Sequence, residues 1–533
     1  MDGLEYGSFC YCSRIYGPFY FRYYGHRFSV YERNLVTFDN WIPLLIVIIP
    51  LFVAVIIFAL AEDKTKTRST LNIGASLISL VLVGLMLWGV SSGQNYETRL
   101  SFLPGLDLVL RADSLSMLFV TLSSALWMLT TVYAIGYLEG SPYRSRFFGF
   151  FSLCVAATLG VALAGNLITF LLFYELLTLA TYPLIVHRGT TKARRAGRTY
   201  LMYTLIGGAI LLLGTILLYS ITGTLEFVAG GFLSALDSSN HSLLILVFVL
   251  LVIGLGVKAA IVPLHGWLPK SMVAPAPVSA LLHAVAVVKA GAFGIVRVIY
   301  DVFGIEFSVS LGLMLPLAII ASITIIYAST RALFQDGLKA RLAYSTVSQV
   351  SYIILGVAIA GPIAAVGGVV HLVHQGVTKI TLFFCAGNFA ETLGIHNISE
   401  MDGVGRRMPW TMAAFTIGSL GMIGIPPLAG FISKWYLGIG ALEAGQAWVL
   451  WVLAGSSLLN AAYFLPILYV AWFKKPKGDW PAEQKLGKYE TSLLLLVPPL
   501  ITALFVILLG LFASLSFSAL TWSEFIISKE FLL

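Results

Sequence analysis

The chain has 533 residues, 58% of them hydrophobic and 11% charged, with a formal net charge of +8 and a mean hydropathy of +0.90. Soluble domains carry about 25% charged residues, so this composition excludes an ordinary globular enzyme and defines an integral membrane protein. The basic residues lie in short loops between apolar segments, a pattern of membrane orientation and not of a nucleic-acid surface. Cys10, Cys12, Cys154 and Cys385 show no C-x2-C spacing and no accompanying histidine cluster. Neither a metal site nor an iron–sulfur cluster is therefore expected, and no cofactor.

Residues 1–41 hold many aromatics, among them Tyr16, Phe19, Tyr20, Phe21, Tyr23 and Tyr24, and four arginines. They lack an apolar core segment, so they do not read as a signal peptide. An interfacial belt and an over-extended start remain open for this tail.

A spanning helix needs about 20 mainly apolar residues. Fourteen such segments begin near Trp41, Asn72, Ser114, Phe147, Leu167, Tyr200, Leu243, Ala276, Ser308, Leu342, Ile363, Pro409, Trp448 and Thr491. Only Gly361-Pro362 separates the tenth from the eleventh, so thirteen is the alternative. The loops are too short to house a soluble catalytic domain. Of the 33 Lys and Arg residues, 21 fall in odd-numbered loops and 7 in the even loops and tails. The positive-inside rule then puts the odd loops in the cytoplasm and both termini on the opposite side.

Four lysines and one glutamate break the apolar segments. A charge at bilayer depth costs about 2.5–3.5 kcal/mol on insertion scales and marks ion or proton paths by default. Glu175 is the sole charge in Leu167–Val186. It reads either as a protonated carboxyl bonded to a neighbouring helix or as a carboxylate paired with a buried lysine. Lys258 comes five residues before Pro263, which should break its helix; snorkelling to the interface is its alternative. Lys289 follows His283 by six residues, so the two side chains point about 120° apart on one helix. His371, Gln375 and Lys379 recur at a spacing of four and form one polar stripe; His374 beside them reads as a satisfied core histidine. Lys434 follows the interruption at Pro426, Pro427 and Gly430. Two Pro/Gly-broken segments, one in each half and each with a lysine, point to an inverted-repeat transporter.

The stretches Pro263-Leu-His-Gly-Trp-Leu-Pro-Lys270, Pro275 to Lys289, His371 to Lys379 and Gly424-Ile-Pro-Pro-Leu-Ala-Gly-Phe-Ile-Ser-Lys434 resemble the antiporter-like proton-translocating family. That family comprises the large membrane subunits of complex I and the A and D components of Mrp-type Na⁺/H⁺ antiporters. The resemblance implies an all-α polytopic fold of about fourteen helices. Helices 1–3 would occupy 42–140, a first inverted repeat 141–305, a second 306–475, and the last loop and helix 476–533. Each repeat would form a half-channel, joined to the other by a polar axis at mid-membrane.

The resemblance further implies roles: Glu175 with Lys258 as a switching ion pair, Lys289 on the axis, His371 and Lys379 as the connecting relay, and Lys434 at the exit; His283, on the Lys289 helix, is a further candidate for proton transfer. Lysine in place of glutamate at 434 disfavours one complex I subunit. It leans toward the D-type antiporter component or another complex I-like paralogue, including those of ferredoxin-linked oxidoreductases and membrane hydrogenases. No redox or hydrolytic centre belongs to the chain itself, so the expected partners are other membrane subunits, H⁺ and in one reading Na⁺, within a bacterial plasma membrane. The competing classes are a b-type cytochrome with haem bridged by His283 and His371, and a transporter acting alone.

Overall fold

The structure is a computed structural model that describes residues 38–531 apart from 139, 236–239, 477 and 487–488. Of the aromatic tail, residues 1–37 lie outside the described residues. The chain runs through α1 (Ile42–Ala59), α2 (Thr65–Ser91), the strands β1 (Tyr96–Leu103) and β2 (Leu106–Ala112), α3 (Ser114–Tyr137), α4 (Arg144–Leu163), α5 (Leu167–Ile185), α6 (Thr191–Thr222) and α7 (His241–Ala259). It continues through α8 (Trp267–Lys270), α9 (Ala276–Ala284), α10 (Val287–Arg297), α11 (Ile305–Ser310), α12 (Met314–Leu333), α13 (Leu338–Ala358) and α14 (Pro362–Leu393). The last elements are α15 (Val404–Arg407), α16 (Pro409–Ile423), α17 (Ala429–Glu443), α18 (Val449–Phe473), α19 (Leu493–Leu511) and α20 (Ala519–Glu530).

The fold is all-α and polytopic, as its hydropathy requires. Among the described residues, 12 segments are long and apolar enough to cross a membrane. The tenth and eleventh expected segments are separate helices: α13 ends at Ala358, Ala360 turns the chain with φ 57°, and α14 starts at Pro362. Proline suits a first helical turn because its missing N–H would be unpaired there anyway. The segment expected from Ser308 begins instead at Met314, after the short α11.

The antiparallel β1–β2 hairpin went unforeseen. Its alternating pattern in Tyr96–Ala112 was masked by the search for long apolar runs, although Pro104-Gly105 marks the turn. An ion cluster pins it: Arg111 and Arg99 each bridge Glu97 and Glu226. Burial alone would raise the Glu97 pKa, but the two guanidiniums hold its carboxyl below the usual range.

Large apolar side chains such as Trp88, Leu179, Ile206, Trp451 and Phe473 are exposed on the outer helices. Exposed apolar surface of this extent suits lipid contact. Inside, the apolar windows of Ala276–Phe303 and Pro362–Leu393 are entirely buried. These enclosed segments carry His283, Lys289, His371 and Lys379. The helices with the least tolerable charges are thus the ones best shielded from lipid.

Candidate functional site

α5 opens with Asn166, whose side chain accepts the Thr169 N–H at 2.9 Å, and it carries Tyr174 and Glu175. The Tyr174 hydroxyl donates to the Gly254 carbonyl at 3.1 Å, which ties α5 to α7. Near the end of α7, Lys258 is fully buried, which rules out snorkelling. Its ammonium donates to the Tyr174 carbonyl and lies 3.2 Å from the centroid of the Tyr174 ring, a cation–π arrangement. Glu175 and Lys258 sense each other electrostatically, but no direct ion pair joins them among the described residues. The half-buried Glu175 carboxyl has one oxygen without a hydrogen-bond partner. Tyr174 therefore holds the lysine in this structure.

Space for Glu175 comes from α6. A Cβ at Gly208 would fall 2.2 Å from the Glu175 Oε1 and 2.7 Å from its carboxyl carbon. Gly208→Ala should therefore displace the carboxylate from its place against α6, which a structure of the variant would show. Gly74→Ala, with nothing within 4 Å of the added atom, should leave the carboxylate in place.

α7 stops four residues before Pro263. Ala260 takes a left-handed conformation, φ 58°, and the Trp267 indole N–H donates to the Val257 carbonyl at 2.8 Å, so the freed end of the helix is covered. A second break, unforeseen from sequence, separates α9 from α10 at Val285 and Ala286. The N–H groups of both residues bond to the Leu281 carbonyl, a widened turn of the kind found at functional sites. His283 and Lys289 flank it. Both His283 ring nitrogens are buried without partners, and its ring packs on Phe383 at 4.6 Å. Lys289 is fully buried, and its Nζ donates to the Leu372 carbonyl at 2.9 Å.

α14 displays the expected stripe, but its members address different neighbours. His371 Nδ1 lies 2.8 Å from the Ser433 hydroxyl, and its ring stacks on Tyr352 at 5.2 Å. It is within electrostatic range of Lys289, His374 and Lys434. Lys379 is two turns along, about 12 Å by helical rise, and donates to Ser345 Oγ at 2.5 Å. Gln375 between them has both side-chain polar atoms unpartnered, as does His374. Among the described residues, His374 is thus buried with no hydrogen bond of normal geometry to either ring nitrogen.

Between α16 and α17 the chain breaks at Gly424, φ 92°, and Pro426-Pro427. The Lys434 ammonium reaches back to the carbonyls of Met422 and Ile423 at 3.0 and 2.8 Å and to Ser457 Oγ at 3.0 Å. A cation there completes the orphan carbonyls at the end of α16 and suits the helix dipole. A Cβ on Gly424 would fall 2.8 Å from the lysine stem, so this position needs glycine for both backbone angle and space.

One cavity of about 870 Å³ opens among the odd-numbered loops, lined by Arg188, Lys192, Arg195, Lys270 and Lys339 among others. Lys339 donates from its wall to the Ala274 carbonyl at 2.6 Å and lies 3.4 Å from Ser279 Oγ. Ser279 stands one turn before His283. Tyr174, Lys339, Tyr352, Ser345 and Tyr463 had no signal in the sequence; hydroxyl and aromatic residues are too common in spanning helices to stand out.

Helix breaks beside buried amines, with unpartnered imidazoles and amides between them, define a polytopic membrane protein built around a polar interior row. The family model described as NADH:quinone oxidoreductase/Mrp antiporter, TM matches residues 164–460. The chain is 36% identical over 490 residues to NADH-quinone oxidoreductase subunit N of Desulforudis audaxviator, covering 88% of this chain and 96% of that one. With the D component of the Na(+)/H(+) antiporter of Bacillus subtilis it shares 28% over 473 residues, 89% and 94% of the two chains. A chain in the structure of the Mrp complex from Dietzia sp. DQ12-45-1b superposes with a TM-score of 0.80 at 24% identity, covering 92% of this chain and 97% of that one; this likeness concerns the fold. The chain belongs to the NADH:quinone oxidoreductase/Mrp antiporter transmembrane family and is an antiporter-like membrane subunit.

Proposed function

We propose that this chain conducts protons across an energy-coupling membrane as one subunit of a multisubunit complex, through its buried lysines and histidines. The observation that carries this reading is the enclosure of Lys258, Lys289 and Lys379 with His283, His371 and His374 at under 2% exposure. Several of their neighbours, including Gln375 and Gln349, have unpartnered polar atoms. Buried polar groups normally find partners, and those left over suit a path lined for water.

The path runs in two half-channels, one in each repeat, with the odd-numbered loops facing the cytoplasm. Support for the repeats lies in the two broken segments: each has a left-handed residue, Ala260 or Gly424, three positions before a proline, Pro263 or Pro427. The basic cavity, from whose wall Lys339 reaches to Ser279 one turn before His283, supplies a cytoplasmic inlet. Lys258 acts as the gate. A rotation of its side chain from Tyr174 toward Glu175 strengthens the charge pair, and the reverse rotation releases the proton to Lys289. His371 and Lys379 then connect Lys289 with Lys434, whose ammonium lies 5.6 Å from the Tyr352 ring on which His371 stacks.

The driving force comes from partner subunits or an exchanged monovalent cation, because the row moves protons but generates no free energy. The two kinds of relative place such a subunit in a complex I-like oxidoreductase or an Mrp-type antiporter. Lys258→Ala should lower pH-gradient formation by about 100-fold in inverted vesicles that hold the assembled complex. A rate equal to the parent's would refute the gate.

A further inference from the structure

Resting on the reading that protons move through the buried lysines, we propose that Ser345 and Tyr463 form the hydroxyl link between Lys379 and Lys434, with Asn460 holding the phenol in place. The bonds are continuous across five helices. Lys379 of α14 donates to Ser345 Oγ of α13 at 2.5 Å. The Tyr463 hydroxyl of α18 lies 2.8 Å from that same oxygen and also contacts Asn460 Oδ1. Asn460 Nδ2 donates to the Met422 carbonyl at 3.1 Å, the carbonyl that also accepts from Lys434 at 3.0 Å. Ser345, Tyr463 and Asn460 are all fully buried, so bulk solvent does not compete for these bonds; only the last step, from the phenol to Lys434, takes an internal water.

The chemistry assigns different roles along this line. A hydroxyl donates one hydrogen while accepting another, so it can pass a proton on; a carboxamide and a peptide carbonyl only donate or accept. With Lys379 charged, its N–H occupies a lone pair of Ser345, whose own hydrogen turns to Tyr463, and the phenol hydrogen turns to Asn460. In the transfer, a Lys379 N–H bond breaks as an O–H bond forms on Ser345. The original Ser345 proton moves to Tyr463, and the phenol proton leaves through a water molecule to the Lys434 lone pair. Lys379 ends neutral, Lys434 ends charged, and each hydroxyl keeps one hydrogen. When Lys379 is neutral its lone pair accepts from Ser345, and the same hydroxyls point the other way. The link therefore has a direction set by the charge on Lys379.

The test is proton transport per assembled complex in inverted membrane vesicles carrying the full chain and its partner subunits. Tyr463→Phe keeps the ring, which packs on Phe464 at 4.7 Å, and removes only the hydroxyl. It should lower transport about tenfold and change the solvent isotope effect on the remaining rate. A merely structural role would reduce the amount of complex but leave turnover per complex and its isotope effect intact. Ser345→Ala, which deletes one small hydroxyl, should act in the same direction and serves where the phenylalanine variant does not assemble. Parental turnover in both variants, with Lys379→Ala and Lys434→Ala inactive, would overturn the link alone. Parental turnover in all four would overturn the lysine path itself.

Discussion

Lys289→Ala should stop pH-gradient formation, lowering it by at least about 100-fold relative to the parent complex. The side chain sits immediately after the break between α9 and α10, fully buried, with its ammonium on the Leu372 carbonyl of α14. It stands between the Lys258 end of the row and His371, which lies in its electrostatic range. Alanine removes the titratable amine that stands next to His371 in the row. Lys289→Arg should fail as well, because a guanidinium does not give up its proton. Assembly and stability should change little, since the replaced contact is one hydrogen bond to a carbonyl whose backbone remains in place. Undiminished transport by Lys289→Ala in vesicles with confirmed assembly would remove this residue from the path.

Arg297→Met should have the largest effect on stability, with no direct part in the row. Arg297 is buried at the end of α10 and bonds Asp301 at 2.8 Å, Asp113 at 2.8 Å and Ser116 at 2.6 Å. Asp113 in turn caps α3 by accepting the Ser116 N–H at 2.7 Å. Deleting one partner of a buried charge cluster leaves the others uncompensated and costs about 3–5 kcal/mol. Thermal unfolding of the purified protein in detergent should show a clearly lower midpoint for Arg297→Met. The double variant with Asp301→Asn should recover part of the loss, because it removes a stranded carboxylate. Equal midpoints for parent and Arg297→Met would show that the cluster contributes no net stability.

The sequence alone determined the membrane class, the rough place of most spans and the residues that cost most to bury. Those features are local: twenty apolar residues have no stable place except lipid, and a lysine among them stands out wherever its partners are. The proline interruptions at 263 and at 426–427 were legible for the same reason, since proline acts on its own helix. The break between α9 and α10 was not, because Val285 and Ala286 are ordinary helix residues. Their departure is imposed by packing within an enclosed segment.

Tertiary structure decided which groups meet. The family resemblance implied a partner for Lys258 in Glu175; that its ammonium also meets the carbonyl and ring of Tyr174 emerges only in the folded chain. Sequence set Lys379 two turns after His371 on one stripe, but each reaches a different helix. The bonds from Lys379 to Ser345, from Tyr463 to Ser345 and from Lys434 to the end of α16 join residues 34 to 118 positions apart or cross a helix break. Periodicity reports the face on which a side chain lies, not the helix it faces. That partner is chosen by small-residue contacts such as Gly208 beneath Glu175, and these exist only once the helices have packed.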